Sequence, residues 1–330
     1  MLFWPGDSNL GASLSTGASE IHMKWVRQIL IAASENSWLR KKMPRLAFVR
    51  RAAARFLPGE KMDDALAAAN HLLGDGMSSL LTHLGENVAD RAEAQTETEQ
   101  YLGLLDRIQQ AGLPSEISVK LTQLGLDIDA EFCFANLVAL AEHSPNETIW
   151  IDMEQSRYVD ATLALHARAR KAHANVGVCA QAYLRRTAKD IESLTAMGAS
   201  VRLVKGAYSE PPEIAFAKKK DVDENYFRLA QSLLSSRARA AGVRGVMATH
   251  DANLIARIAA WASAAGIEKK QLEFAMLYGI QRREQLRLAR AGYRSDVLIS
   301  FGSFWFPWFM RRLAERPANI FFLVRNLFSG

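Results

Sequence analysis

The chain has 330 residues, of which 49% are hydrophobic and 23% charged, and it carries a net charge of +6. That balance excludes a disordered or collagen-like chain, while the length admits either two small domains or one large α/β barrel. Its two cysteines, Cys133 and Cys179, are too few for a disulfide framework or a zinc centre; both lie in apolar runs and read as buried thiols of a reducing compartment.

In chain order, Met1-Leu2-Phe3-Trp4-Pro5-Gly6 lacks a basic n-region and a long apolar core, so no secretory leader is expected. No apolar run reaches membrane-spanning length. Residues 1–75 read as a helical arm, in which the mostly small and polar Ser13–Ser19 is expected to be mobile. Within the arm, Trp38–Arg55 sets Arg40, Lys41, Lys42, Arg45, Arg50, Arg51 and Arg55 among Trp38, Leu46, Phe48 and Val49. A helix of this kind packs by one face with its charges in water; the pattern also suits an anionic bilayer surface, an acidic carrier or nucleic acid.

From residue 76 onward, short β-rich apolar runs alternate with helical patterns. They are Ser78–Leu84, Ile117–Leu121, Thr148–Ile151, Val176–Ala180, Ser200–Val204, Gly245–Ala248, Gln271–Met276 and Val297–Phe301. Near-continuous apolar strands separated by helices suit a parallel sheet covered by helices. Eight such units point to a (β/α)8 barrel over 76–330, and no Gly-x-Gly-x-x-Gly follows any strand to favour a dinucleotide-binding sheet.

Barrel enzymes carry their reactive groups at the C-terminal strand ends. There, Lys120 follows the second strand, Asp152 the third and Gln181 the fourth. The fifth carries Arg202, followed by Lys205-Gly206-Ala207-Tyr208; the sixth runs into Thr249-His250-Asp251 and the seventh into Leu277-Tyr278-Gly279. Singly, each has a bland reading: Lys120 as a rim lysine, Asp152 as a helix cap, Gly206 as a turn glycine. Lys120 and Lys205 are also candidates for Schiff-base chemistry. His250 has no second ligand at metal spacing, so no metal is expected.

The segment Phe304–Asn319 places Arg311 and Arg312 in an aromatic wall just after the last strand. A guanidinium keeps its charge, and its planar fork matches a carboxylate. On a helix, Glu315 falls four residues after Arg311 and three after Arg312, where it can orient both. The alternative is a surface salt-bridge cluster. The apolar Ile320–Phe328 end is expected to pack back on the fold.

Taken together these segments resemble proline dehydrogenases. The matching pieces are Ser118-Val119-Lys120-Leu121-Thr122-Gln123-Leu124-Gly125, Ile151-Asp152-Met153-Glu154, Gln181-Ala182-Tyr183-Leu184 and Arg202-Leu203-Val204-Lys205-Gly206-Ala207-Tyr208. They continue in family order with Ala248-Thr249-His250-Asp251, Leu277-Tyr278-Gly279-Ile280 and Met310-Arg311-Arg312-Leu313-Ala314-Glu315-Arg316-Pro317-Ala318-Asn319, and Leu84-Gly85-Glu86-Asn87-Val88 looks like the end of the family's first strand.

The resemblance implies a distorted (β/α)8 barrel with non-covalent FAD across the strand ends. It implies oxidation of L-proline or a close analogue to 1-pyrroline-5-carboxylate, by hydride transfer to flavin N5. By similarity Lys120, Arg311 and Arg312 hold the substrate carboxylate, Tyr208 and Leu277 wall the ring, and Arg202 sits beside the flavin with Asp152 completing the polar site. Met153, Gln181, Lys205, Gly206, Ala207, Thr249 and His250 line the cofactor. The implied electron acceptor is a quinone or a small redox protein, and the implied location is the cytoplasm, peripheral to the inner membrane if the basic helix docks there; no nucleic acid is expected. Family members usually carry tyrosine where Leu298 stands, proline and tyrosine at Ser300 and Phe301, and glutamine at Ala275, so ring discrimination is expected to differ here. The competing classes are a flavin-free Schiff-base barrel and a non-catalytic interaction protein.

Overall fold

The computed structural model describes residues 36, 38, 42–85, 88 and 90–315. Ser13–Ser19, the Glu86-Asn87 pair, Arg316–Asn319 and Ile320–Phe328 therefore lie outside the described residues, as do Arg40 and Lys41 of the basic stretch.

The described elements run in the order α1 (Ala47–Ala53), α2 (Met62–Gly74), β1 (Ser78–His83), α3 (Arg91–Gln110), β2 (Ser115–Val119), α4 (Ala130–His143) and β3 (Ile149–Ile151). They continue with α5 (Val159–Arg170), β4 (Val176–Gln181), α6 (Thr187–Ala196), β5 (Ser200–Val204), α7 (Lys219–Leu233), α8 (Ser236–Ala240) and β6 (Gly245–Ala248). The last are α9 (Ala252–Ala264), β7 (Glu273–Leu277), α10 (Arg282–Arg290), β8 (Arg294–Phe301) and α11 (Trp305–Glu315). Three 3₁₀ turns complete the set. Every strand pairs in parallel with the next, and β8 closes on β1 over Ser78↔Asp296 to His83↔Phe301. The expected eight-stranded barrel is the fold. Among the described residues, no helix is long and apolar enough to cross a membrane.

The chain clusters into two units. Ala54–Trp305 holds the barrel; the described residues outside it include the 3₁₀ turn Met43–Arg45, α1 and α11 from Phe306 onward. Within the barrel unit, α2 contributes buried Ala65, Leu66, Ala68, Ala69 and Leu72 and packs against both β1 and β8. The seam where the barrel closes is thus covered by a helix from before the first strand. Several later helices start on side-chain caps: Asp90 accepts from Glu93 N for α3, and Asp129 accepts from Phe132 N for α4.

Alternation along the strands sends every second residue into the lumen. Its middle layer is Leu80, Trp150, Val246 and Ala275, with Ala248 and Leu298 packed against it. Trp150 fills so much of this space that its β4 neighbour is glycine; a Cβ at Gly177 would come within 2.8 Å of the indole. Beneath the indole, toward the N-terminal strand ends, Arg244 donates to Glu273 and Glu116, while Trp150 Nε1 donates to Glu116 at 2.7 Å. Ser78 bonds to Asp296 in the same floor. Burial and the neighbouring charge of Glu273 hold the Asp296 carboxyl well above the usual carboxylate range. Trp150 therefore divides a polar floor from the C-terminal mouth, with Arg244 on it at 5.4 Å and Arg202 at 5.3 Å from the ring centroid.

Candidate active site

Four consecutive strands place one polar side chain each around a common point above Trp150. β2 supplies Ser118, the end of β3 supplies Asp152, β4 supplies Cys179 and β5 supplies Arg202. The Asp152 N–H donates to Val119 O at 2.8 Å, which extends the β2–β3 ladder by one rung and fixes the carboxylate's origin. Arg202, only 4% exposed, donates through Nη2 to Asp152 Oδ1 at 2.5 Å. Lys120, just past the end of β2, brings its ammonium to 3.8 Å from the other oxygen, Asp152 Oδ2. Burial drives the Asp152 carboxyl upward, but the charges of Arg202 and Lys120 outweigh it and hold the group below its ordinary value. Burial likewise works against the Arg202 charge, and Cys179 and Asp152 more than offset it.

The residues expected to line a cofactor form the adjoining sector of the mouth, at the ends of β3 to β6. Gln181 Nε2 donates to Met153 O at 3.1 Å and Glu154 O at 3.2 Å, while its buried Oε1 has no donor among the described residues. A buried acceptor without a donor is expensive, so this atom fits a bound group bringing an N–H or O–H. Gly206 follows with φ +108°, and a Cβ there would overlap the Tyr183 ring at 2.1 Å; only glycine turns the backbone here. Lys205 bonds Asp223 at 2.5 Å and Asp251 at 3.0 Å, and Lys219 closes the same ion cluster. Asp251 also accepts from Leu254 N to cap α9, and its carboxyl is held below the usual range by the two lysines despite partial burial. Thr249 is buried and receives the Asp251 N–H on its hydroxyl. His250 Nε2 accepts from Leu277 N at 2.9 Å, which puts any ring proton of the neutral form on Nδ1. Ala207 is exposed beside them.

Of the expected substrate residues, Leu277 and Leu298 are register neighbours on β7 and β8, with Ala275 one lumen layer below. Tyr208 lies half-buried in the connection between β5 and α7. That connection is pinned by the Leu184↔Ala215 bridge and by Glu210, which accepts from Ser156 N and Oγ at 2.7 and 2.6 Å. Arg311 and Arg312 fall on α11, so the expected helix forms, and Arg312 lies 5.9 Å from the Trp308 ring centroid. The side chains of Arg311 and Glu315 are outside the described set, so Glu315's expected orienting role is too.

Two members of the central cluster were not legible as site residues. Cys179 reads as a structural thiol, and Ser118 as ordinary strand. The available signal was strand periodicity: Ser118 lies two before Lys120 and Cys179 two before Gln181, so each shares its neighbour's lumen face. Among the described residues no group of His, Cys, Asp and Glu could hold a metal ion, and both cysteines are free and buried.

A closed parallel barrel with a buried arginine paired to an ionised carboxylate at its C-terminal mouth defines the class of (β/α)8-barrel enzymes. The comparisons narrow this class. The family model described as proline dehydrogenase matches residues 65–325. Proline dehydrogenase 2 of Bacillus subtilis subsp. natto is 35% identical over 303 residues, covering 91% of this chain and 98% of its own length. Proline dehydrogenase of Deinococcus radiodurans is 34% identical over 287 residues, covering 84% of this chain and 90% of its own. The crystal structure of proline utilization A (PutA) from Bdellovibrio bacteriovorus inactivated by N-propargylglycine matches with a TM-score of 0.77 at 25% identity. That match covers 90% of this chain and 37% of the longer PutA chain, so this chain spans little more than a third of it. The chain belongs to the proline dehydrogenase family and is an oxidoreductase.

Proposed function

We propose that the protein oxidises L-proline, or a close cyclic analogue, to 1-pyrroline-5-carboxylate with FAD held across the ends of β3 to β6. The observation that carries this reading is the Lys120–Asp152–Arg202 cluster at one barrel mouth, in a chain of this family. Met153, Gln181, Arg202, Lys205, Gly206, Ala207, Thr249 and His250 would hold the cofactor, and the donor-less Gln181 Oε1 and the tight Gly206 turn support that assignment. When bound, the flavin supplies the two-electron acceptor at N5 for the hydride leaving the ring carbon next to nitrogen.

The protein's own residues bind, orient and balance charge. Lys120, with Arg311 and Arg312 as the proposed remainder of the clamp, fixes the carboxylate, which sets the ring's orientation and contributes through proximity. Leu277, Leu298 and Tyr208 wall the ring and exclude water. Arg202 provides a fixed positive charge where negative charge accumulates, in a site too buried for water to do the same. Asp152 keeps Arg202 and Lys120 from facing each other unbalanced, and its negative charge favours the cationic imine product. A quinone or a small redox protein is proposed as the final electron acceptor.

The test is anaerobic mixing of the purified, FAD-reconstituted protein with a panel of cyclic amino acids, followed by flavin absorbance. Bleaching by proline supports the reading. A protein that takes up no flavin, or a flavin that no cyclic amino acid bleaches, rejects it; borohydride trapping of a carbonyl substrate on lysine would instead favour a Schiff-base enzyme.

A further inference from the structure

The Arg202 guanidinium is gripped along one edge. Nε donates to Cys179 Sγ at 3.0 Å, and Nη2 donates to Ser118 Oγ at 2.6 Å and to Asp152 Oδ1 at 2.5 Å. The Ser118 Oγ–H in turn donates to Asp152 Oδ1 at 2.8 Å, so the hydroxyl bridges cation and carboxylate. The Cys179 sulfur lies 3.7 Å from the same oxygen, accepting from the arginine while its S–H faces the carboxylate. Burial pushes that thiol up to about 11, which keeps it protonated. Among the described residues no hydrogen bond involves Nη1. Below, the Trp150 ring blocks the guanidinium from sinking into the barrel.

An arginine side chain has several soft torsions, and one salt bridge fixes only a point on it. Acceptors on both Nε and Nη2 fix the plane of the fork as well. The two acceptors that complete this edge, Ser118 at 0% and Cys179 at 2% exposure, have no other visible reason to be polar in an apolar strand.

We propose that Ser118 and Cys179 are positioning residues, which together with Asp152 clamp the Nε–Nη2 edge of Arg202 and present Nη1 to the reacting groups in the mouth. The proposal rests on the functional reading above for what Nη1 meets, and on geometry alone for the clamp. A merely structural polar cluster would stabilise the barrel without setting the electrostatics of the reaction.

The experiment compares holoenzyme carrying Ser118→Ala or Cys179→Ala with the conservative Ser118→Thr and Cys179→Ser. Three readouts are taken: single-turnover flavin reduction by proline, the flavin midpoint potential, and solvent exchange of the Arg202 Nε–H followed by ¹⁵N NMR, its signal assigned by its loss in Arg202→Lys. Each alanine variant should lower the limiting reduction rate by about 10- to 100-fold while substrate affinity stays within about twofold, the pattern of lost orientation rather than lost binding. The midpoint potential should fall, the Nε–H should exchange faster in Cys179→Ala, and the conservative variants should recover most of each effect. Wild-type rate and potential in both alanine variants would overturn the proposal, as would an Nε–H signal that Cys179→Ala leaves unmoved. Should proline fail to reduce the wild-type flavin, the functional reading falls separately, and the Nε–H comparison still decides the clamp.

Discussion

Asp152 is shared between two cations from different strand ends: Arg202 reaches Oδ1 at 2.5 Å and Lys120 approaches Oδ2 at 3.8 Å. Arg202 is almost wholly buried, so removing the carboxylate leaves a charge that can neither be hydrated nor discharged. Asp152→Ala is expected to destabilise the fold by about 3 kcal/mol. Equilibrium urea unfolding measures this directly, and a loss below about 1 kcal/mol would show that water or a rotated side chain compensates Arg202.

The same pairing fixes the pH behaviour. The Asp152 carboxyl is depressed in the folded protein, so its contribution to stability is complete above the unfolded value of about 3.9 and is lost as pH falls through the lower folded value. Asp152 is therefore ionised throughout the neutral range and cannot produce an alkaline limb in activity. The substrate amine can, because it must be neutral to release hydride. Single-turnover flavin reduction by proline should rise between about pH 6 and 9, and the limb should persist at lower amplitude in Asp152→Asn. A flat wild-type profile, or a limb abolished by Asp152→Asn, contradicts this assignment.

The barrel and the location of the site were legible because both follow from periodicity. Seven of the eight strands begin within two residues of where the apolar runs placed them, and the Lys120, Asp152, Gln181 and Arg202 positions fall at the mouth. The second strand ends at Val119, so Lys120 stands just beyond the ladder rather than inside it. β8 starts at Arg294, three residues before the apolar run, because Asp296 enters the lumen as a floor residue and breaks the hydrophobic signal. The partner of each buried charge was not legible. Which acceptor meets Arg202 depends on strand stagger, and nothing local in Cys179 or Ser118 encodes it. Nor does the stretch before β1 announce that α2 will cover the closing seam, since its apolar pattern would suit any packed helix.

Trp150 is the partition on which the mouth rests, and Gly177 is what admits it. A methyl group at 177 would stand 2.8 and 2.9 Å from two indole carbons and 3.1 Å from Thr148 Cγ2. The ring is fully buried and hydrogen-bonded to Glu116, so it cannot yield without breaking that bond. Gly177→Ala should cost about 1–3 kcal/mol of stability and shift the indole fluorescence. Pairing it with Trp150→Phe should recover part of the loss; additive losses would mean the clash is elsewhere.

His166 provides an acid-sensitive element far from chemistry. On α5 it is fully buried, and burial, reinforced by the charge of Arg170, pushes its imidazole down to about 4. Unfolded histidine titrates near 6.5, so the unfolded state binds the extra proton between these values. Stability is complete above about pH 6.5 and falls by roughly 3 kcal/mol as pH drops to about 4. His166→Leu should flatten that part of the curve. Urea midpoints of both proteins from neutral to acid pH test it, and parallel curves would exclude His166 as the cause.

Leu298 stands beside Leu277 in register, on the wall proposed for the substrate ring, and the small Ala275 lies one layer beneath. An apolar wall of two leucines offers an added ring hydroxyl neither a partner nor a strong clash. Discrimination between proline and 4-hydroxyproline is therefore expected to be modest, on the order of 1–3 kcal/mol in kcat/KM. Leu298→Tyr adds bulk and a phenol at this wall. The kcat/KM ratio of proline to 4-hydroxyproline should rise by about tenfold in this variant, with the larger part of the change in the hydroxylated substrate. An unchanged ratio would show that position 298 does not contact the ring, and the substrate would then have to lie nearer Tyr208 than the β7–β8 edge.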